Sequence, residues 1–302
     1  MDTGVQRFSH EAMATVFEVH ATHPDARYAA QAAQAAFDLV DRLERELSRF
    51  LPNSDIARVN HLAAGECTQV SPSAMECLVI ARHMLDLTGG AFDVSIGTGL
   101  PSLELDPDTC LVRAAGGGVR IDLGGIGKGY AIDLMADLLE EWGLTQALVH
   151  GGFSSVLALE PPDGGDGWPL TLSDPGDSPR VLARLLVRQT ALGASGLRKG
   201  GHIVDPRNAK PACGRRAAWT TVPRSAGSAS THTDAAAPRA TAVTDALTTA
   251  FMLMSTERIQ ALCAGNPGLE AWLLPEPDEG QPGQTRLLHF GDSPSRYTSP
   301  SS

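Results

Sequence analysis

Between Val119 and Asp133 an apolar run meets four glycines, Gly124, Gly125, Gly127 and Gly129, and then opens into an amphipathic segment. Glycine lets a backbone approach a ligand closely, and a helix that starts there turns its free N–H groups and positive dipole end towards an anion. Lys128 adds a mobile positive charge at the same spot. The stretch therefore predicts a phosphate ligand at a helix start. It fits neither phosphate fingerprint: GxGxxG is out of register, and GxxxxGK[ST] fails because Gly129 follows Lys128.

Beyond the glycines, Ala131, Leu134, Met135, Leu138, Leu139 and Trp142 form a helical stripe that Gly143 stops, and Ala147 to Gly152 reads as a buried strand. The expected unit is strand, glycine loop, helix, strand. Upstream, Met13 to His20 reads as a strand with Phe17 and Val19 on one face and Glu18 and His20 on the other. An Ala-rich helix from Asp25 carries Ala36, Leu39, Val40, Leu43, Leu47 and Phe50 on one face, so periodicity alone explains Phe50 as a core residue as well as it explains a ligand contact.

A second helix is expected from Ser71-Pro72-Ser73, with Ser73 and Glu76 as a capping box, to Gly89 and Gly90 at its C-cap. Ala91 to Gly97 reads as a short strand in which Asp93 is either a loop-edge cap or a ligand contact, the cap being favoured. Residues 98–117 are turn-rich. Leu170 to Leu172 and Val181 to Val187 read as strands around a turn at Asp174 to Asp177, which favours an antiparallel sheet. Ser195 to Arg207 gathers His202, Asp205 and three basic residues around a glycine pair, and residues 224–240 read as a mobile surface insertion.

The helix Thr241 to Met254 sets Asp245 and Thr249 four apart, and hence on one face. Two oxygen side chains together in an apolar helix need a reason. Asp245 as a cap, with Thr249 bonding back to a carbonyl, is the commoner one; a shared ligand is the other. Ser255 is expected to cap one more short helix, Leu269 to Leu274 and Arg286 to Phe290 to close as strands, and the Ser/Pro tail after Gly291 to be disordered.

Composition limits the partners. A net charge of −11 and a pI of about 5.2, without clustered Lys and Arg, argue against nucleic acid. The five cysteines, Cys67, Cys77, Cys110, Cys213 and Cys263, lie far apart and read as free thiols. No stretch approaches 18 apolar residues and Met1 to Gly4 lacks the features of a secretory signal, so the expectation is no transmembrane segment and a cytoplasmic chain or a mature form.

Several separate stretches, in one order, resemble the ApbE-type flavin transferases, a family of FAD:protein FMN transferases. Asp122 to Asp133 is similar to the family's D-L-G-G-[IV]-[AG]-K-G-Y-A-x-D, and Thr244 to Ala250 resembles its A-D-A-L-A-T-A. Supporting likenesses are Met13-Ala14-Thr15 for M-G-T, Leu47 to Asn60 for a serine- and asparagine-bearing region, Ala91-Phe92-Asp93 for a flavin-contacting turn, His150-Gly151-Gly152 for a paired-glycine strand, and His202 to Arg207 for H-I-[IV]-D-P. Ala14 stands where the family has glycine and Phe50 where tyrosine is common, and the stretch from Gly97 to Val119 is shorter than usual.

The resemblance implies an α+β fold of antiparallel sheets flanked by helices over residues 1–290. It implies a reaction in which Mg²⁺ binds the FAD pyrophosphate, AMP leaves, and FMN passes to a Thr or Ser of an acceptor flavoprotein. By the same likeness the metal ligands are Asp245, Thr249 and the carbonyl of Gly125. Lys128 faces the pyrophosphate, and Ala91, Phe92, Asp93 and Asp122 line the flavin or adenine ends. Met13, Phe50 and Ile203 supply apolar contacts, and His202 is the general base. Family members commonly act outside the cytoplasmic membrane, which makes a periplasmic or membrane-associated location a second expectation. Two rivals use the same residues: an FAD pyrophosphatase that releases FMN and AMP, and a protein that binds FAD intact.

Overall fold

A computed structural model describes residues 4–197, 203–224, 239–277, 286–292 and 297–298. In chain order the elements are β1 (Gln6–Ala12), β2 (Thr15–Ala21), α1 (Ala26–Leu47), α2 (Asp55–Asn60), β3 (Cys67–Gln69), α3 (Pro72–Thr88), β4 (Leu103–Asp106), β5 (Leu111–Ala114), α4 (Gly127–Glu141), β6 (Ala147–Gly151), β7 (Ser155–Ala158), β8 (Trp168–Asp174), β9 (Asp177–Val187), β10 (Thr190–Gly196), β11 (Arg215–Pro223), α5 (Ala240–Phe251), α6 (Thr256–Gly265), β12 (Glu270–Pro275), β13 (Leu288–Phe290) and β14 (Tyr297–Thr298).

Eight strands form one sheet in the order β1-β2-β6-β7-β10-β11-β12-β13, and every neighbouring pair is antiparallel. Successive side chains on a strand point to opposite faces, so the sheet carries two apolar surfaces. Phe17, Val19, Val149, Leu157, Ala191 and Leu273 join the core formed with α1, α3, α4 and α5. Leu148, Ala158, Leu192, Trp219 and Trp272 pack with Trp168, Leu172, Ala183 and Leu185 of a second sheet, β14-β9-β8. A third small sheet, β3-β5-β4, lies beside α3. Antiparallel sheets flanked by helices are the α+β arrangement expected from the sequence. Among the described residues no helix is long and apolar enough to cross a membrane.

Several local expectations are corrected. Met13 and Ala14 belong to the turn that joins β1 and β2, with φ of 49° and 56°. Phe50 lies past the end of α1 and is 76% exposed, so it does not close the helical stripe. The cap of α3 is Ser71, which accepts the Ala74 N–H at 3.2 Å; Glu76 instead binds Arg239 and the Tyr130 hydroxyl. Residues 91–97 form a turn rather than a strand, and the turn-rich region after them holds the hairpin β4–β5. The run Val119 to Ile121 makes no ladder: the Ile121 N–H goes to the Asn60 side chain and the Asp122 N–H to the Val94 carbonyl.

Two glycines bring α5 close to its neighbours. A Cβ on Gly129 would lie 2.3 Å from the Thr241 carbonyl oxygen, and one on Gly193 would lie 2.7 Å from Thr244 backbone atoms. Asp133, on α4, caps α5 by accepting the Thr241 and Ala242 N–H groups at 3.0 Å, and burial pushes its carboxyl up to about 7. Most of the expected insertion, residues 225–238, lies outside the described residues, as does most of the tail after Gly291. Arg224 and Arg239, which flank that insertion, both pair with Asp137 on α4.

Candidate functional site

The glycine-rich stretch and α5 meet at one carboxylate. Asp245, 5% exposed, accepts the Gly129 N–H on Oδ2 at 3.0 Å and the Ser155 hydroxyl on Oδ1 at 2.7 Å, and the Lys128 ammonium stands 3.5 Å from Oδ2. The free amide and the lysine predicted to face an anion thus already face one, supplied by the protein. Burial raises the Asp245 carboxyl, against the lowering effects of Lys128, Ser155 and Gly129.

One turn further along α5, the Thr249 hydroxyl donates to the Asp245 carbonyl at 3.1 Å and lies 3.4 Å from the Ser195 hydroxyl. The back-bonding expected of Thr249 is therefore present, but the cap expected of Asp245 is not: Asp133 holds that place. Gly125 is beside Thr249, since a Cβ there would stand 4.0 Å from the Thr249 hydroxyl oxygen and 3.1 Å from the Phe92 ring. Gly125, Lys128, Asp245, Thr249 and Phe92 are thus gathered at one place.

Three residues before Gly125, Asp122 accepts the Gly124 N–H at 2.9 Å and pairs with the Arg49 guanidinium at 3.0 Å. The same guanidinium lies 4.3 Å from the centre of the Phe50 ring, so Asp122, Arg49 and Phe50 form one edge. Beside it a cavity of about 350 Å³ is lined by Arg49, Asn60, Ser95, Ile96, Arg120 and Asp122, among others. Asp93 is a cap, as favoured by sequence: it accepts the Ser95 N–H and hydroxyl on one oxygen and the Gly97 N–H on the other. Ala91 is buried next to it.

Met13 is in the β1–β2 turn, and Ile203 is buried with its carbonyl accepting the Ala212 N–H. His202 lies outside the described residues. The segment that follows it reaches the Asp93 turn, because a Cβ on Gly97 would stand 2.7 Å from the Pro206 carbonyl oxygen. Sequence reasoning missed Ser155, Ser195, Arg49 and Arg120. Three of these had a nearby signal: Arg49 precedes Phe50, Arg120 lies in the opening stretch, and Ser155 follows the paired glycines Gly151 and Gly152.

Comparison with known proteins shows the family and the fold. The chain is 22% identical over 282 residues to an FAD:protein FMN transferase of Vibrio cholerae serotype O1, covering 80% of this chain and 78% of that protein. It is 26% identical over 299 residues to one of Treponema pallidum (strain Nichols), covering 80% and 76%, and 24% identical over 216 residues to one of Klebsiella pneumoniae (strain 342), covering 59% and 66%. The fold matches the apo form of the Pseudomonas stutzeri flavinyl transferase ApbE with a TM-score of 0.77 at 21% identity, over 95% of this chain and 94% of that one. The ApbE protein of Thermotoga maritima matches with the same score at 20% identity, over 95% and 97%. The sequence profile of the ApbE family fits residues 13–100 and 97–273, which takes in both the glycine-rich stretch and the α5 residues it meets; the chain belongs to the ApbE family.

Proposed function

We propose that this chain is a Mg²⁺-dependent FAD:protein FMN transferase, which splits the FAD pyrophosphate, releases AMP and joins FMN to a Thr or Ser of an acceptor flavoprotein. The observation that carries this reading is the meeting of Lys128 and Gly129 with Asp245 and of Gly125 with Thr249, in a chain whose relatives bear that name.

A carboxylate, a hydroxyl and a carbonyl are hard oxygen donors, the set that suits Mg²⁺. Asp245, Thr249 and the Gly125 carbonyl would hold it, and when bound it supplies positive charge to phosphate oxygens. Asp245 fits the role because its burial leaves the carboxylate short of positive charge with only one ammonium nearby. Lys128, 25% exposed at its side chain, retains a face from which to meet a pyrophosphate oxygen. Phe50 offers an exposed ring for stacking, and Phe92 forms a buried wall beside Gly125. Asp122, Ala91, Asp93, Met13 and Ile203 complete the flavin and adenine surroundings by family likeness.

His202 takes the proton of the acceptor hydroxyl. That oxygen attacks the flavin-side phosphorus, the bond from that phosphorus to the bridging oxygen breaks, and AMP leaves with the electron pair. A positioned base contributes about 10²–10⁴ in rate. We take residues 1–290 as the catalytic unit.

The test is to incubate the protein with FAD and an acceptor bearing D-x-x-[ST]-G-A-[ST], with Mg²⁺ or with EDTA. Mg²⁺-dependent AMP release with a covalently fluorescent acceptor is the expected result. AMP with free FMN and an unlabelled acceptor would replace the transferase by a pyrophosphatase, and intact FAD would remove both. Transfer at an undiminished rate in His202→Ala would take the base role from His202.

A further inference from the structure

On the far side of β2 from the helices, three potential ligands converge. Glu18 and His20 are two apart on β2 and so share a face, and the strand register sets His150 of β6 directly opposite Glu18. Among the described residues they form the one group of three His, Cys, Asp or Glu side chains whose ligand atoms all lie within 4.8 Å of one another. Glu18 Oε2 is 2.9 Å from His20 Nε2 and 3.1 Å from His150 Nε2.

The donors and acceptors at this point do not balance in a neutral site. His150 Nδ1 is 2.9 Å from the Gly152 carbonyl oxygen, which can only accept, so Nδ1 carries the hydrogen. In a neutral imidazole Nε2 then presents a lone pair to a carboxylate oxygen that also only accepts. Either a proton, which makes the ring an imidazolium, or a metal ion must lie between them. A ring nitrogen locked onto a backbone carbonyl, with the other nitrogen facing inwards, is how metal-binding histidines are oriented. The Arg7 guanidinium holds the other carboxylate oxygen, Oε1, which leaves Oε2 directed at the two rings.

We propose that Glu18, His20 and His150 form a Zn²⁺ site, separate from the oxygen-lined group at Asp245. Two imidazoles and one carboxylate are the ligand types of Zn²⁺ rather than of Mg²⁺, and a water would complete the fourth position. At bond lengths of about 2.0–2.1 Å the present N–O spacings subtend about 90°, and a widening by about 0.3 Å reaches the tetrahedral angle. The rings are 24% and 18% exposed, so an ion can enter without unfolding the sheet. Bound there, it would clamp β2 to β6 at the strand end that leads into Gly151 and Gly152.

The test is calorimetric titration of the full chain with Zn²⁺, paired with Co²⁺ absorption spectra. One equivalent bound, with Co²⁺ d–d bands and no thiolate charge transfer, is the expected result, and His20→Ala and His150→Gln should each weaken binding at least about tenfold. Asp245→Asn should retain it. Far-UV circular dichroism of both histidine variants checks that they fold, and His20, at the partly exposed edge, is the safer of the two. No stoichiometric binding, thiolate charge transfer, unchanged affinity in both histidine variants, or loss of binding in Asp245→Asn would each overturn the assignment.

Discussion

Asp245 and Glu18 are both carboxylates withdrawn from water, and their surroundings push them in opposite directions. At Asp245 burial dominates: one ammonium at 3.5 Å, one hydroxyl and one amide do not make up for lost hydration, and the carboxyl is raised. At Glu18 burial also pushes upwards, but Arg7, His20 and His150 outweigh it and hold the carboxyl down to about 2. Asp245 is the more deeply enclosed of the two and has one ammonium beside it, whereas Glu18 is shallower and meets the Arg7 guanidinium and two imidazoles, so depth and partners together set the direction. The shells also differ in kind. Asp245 is framed by a hydroxyl, an amide and an ammonium beside the Gly125 backbone, whereas Glu18 meets imidazole nitrogens, so the first suits a hard cation and the second a borderline one.

The largest effect that would break this contrast is in Asp245→Asn. Loss of the charge should lower AMP release from FAD by about 10²–10³ or more, the scale of deleting one preorganised charge-stabilising group. Without Mg²⁺ the same variant should be more thermally stable than the parent at neutral pH. A raised acid contributes stability that is present below its unfolded pKa, near 3.9, and lost as pH rises through the folded value. Glu18→Gln should do the reverse: its carboxylate contributes stability that is present above an unfolded pKa near 4.3 and is lost as pH falls towards 2. Melting curves from pH 3 to 8 read both signs. Equal signs for the two variants, or a fully active Asp245→Asn, would end the contrast.

A smaller effect tests how Asp245 is held. Gly129→Ala puts a Cβ within 2.3 Å of the Thr241 carbonyl, so α4 and α5 must separate, at a cost of about 1–3 kcal/mol. The same shift would draw the Gly129 N–H from Asp245 Oδ2. Stability by denaturant titration and AMP release should fall together. If stability falls while turnover is kept, the Gly129 contact is packing alone.

How much of this was legible depends on the range of the interaction. The stripes of α1 and α4 and the apolar runs of the hairpin β8–β9 lie within one segment, the ends of α3 are marked by Pro72 and by Gly89 and Gly90, and α5 follows from an apolar segment that carries Asp245 and Thr249 four apart. Phe50 was misplaced because α1 ends at Leu47, just before the stripe would have used it. The strand β1 carries no alternating apolar signal, because its outward residues Arg7, Ser9 and Glu11 are polar and so are two of its inward ones, Gln6 and His10. The pairing of Gly129 with Asp245 spans 116 residues and that of Glu18 with His150 spans 132, and no periodicity within a segment reports such contacts. For the first, two family-like motifs stood in for the missing range. For the second nothing did, although Glu18 and His20 were correctly placed on one face.

The smallest effect concerns the hairpin that carries Arg7 and Glu18. Both residues of its loop, Met13 and Ala14, take positive φ, the requirement of a type I′ turn, for which a glycine in the second position is favoured. Ala14 has a Cβ in the left-handed region, where crowding against the backbone costs roughly 1 kcal/mol. Ala14→Gly removes that crowding but frees the unfolded chain, which takes back about 0.4–1 kcal/mol. The net gain should be a few tenths of a kcal/mol, a rise in Tm of about 1 °C or less for a chain of this size. The gain should be the same in an Asp245→Asn background and smaller in Glu18→Gln, because only Glu18 shares the hairpin, through its ion pair with Arg7 across β1 and β2. A gain that instead varies with Asp245 would mean that the two carboxylates are mechanically linked through the sheet, and their opposite responses would then be one property of the fold rather than two local ones.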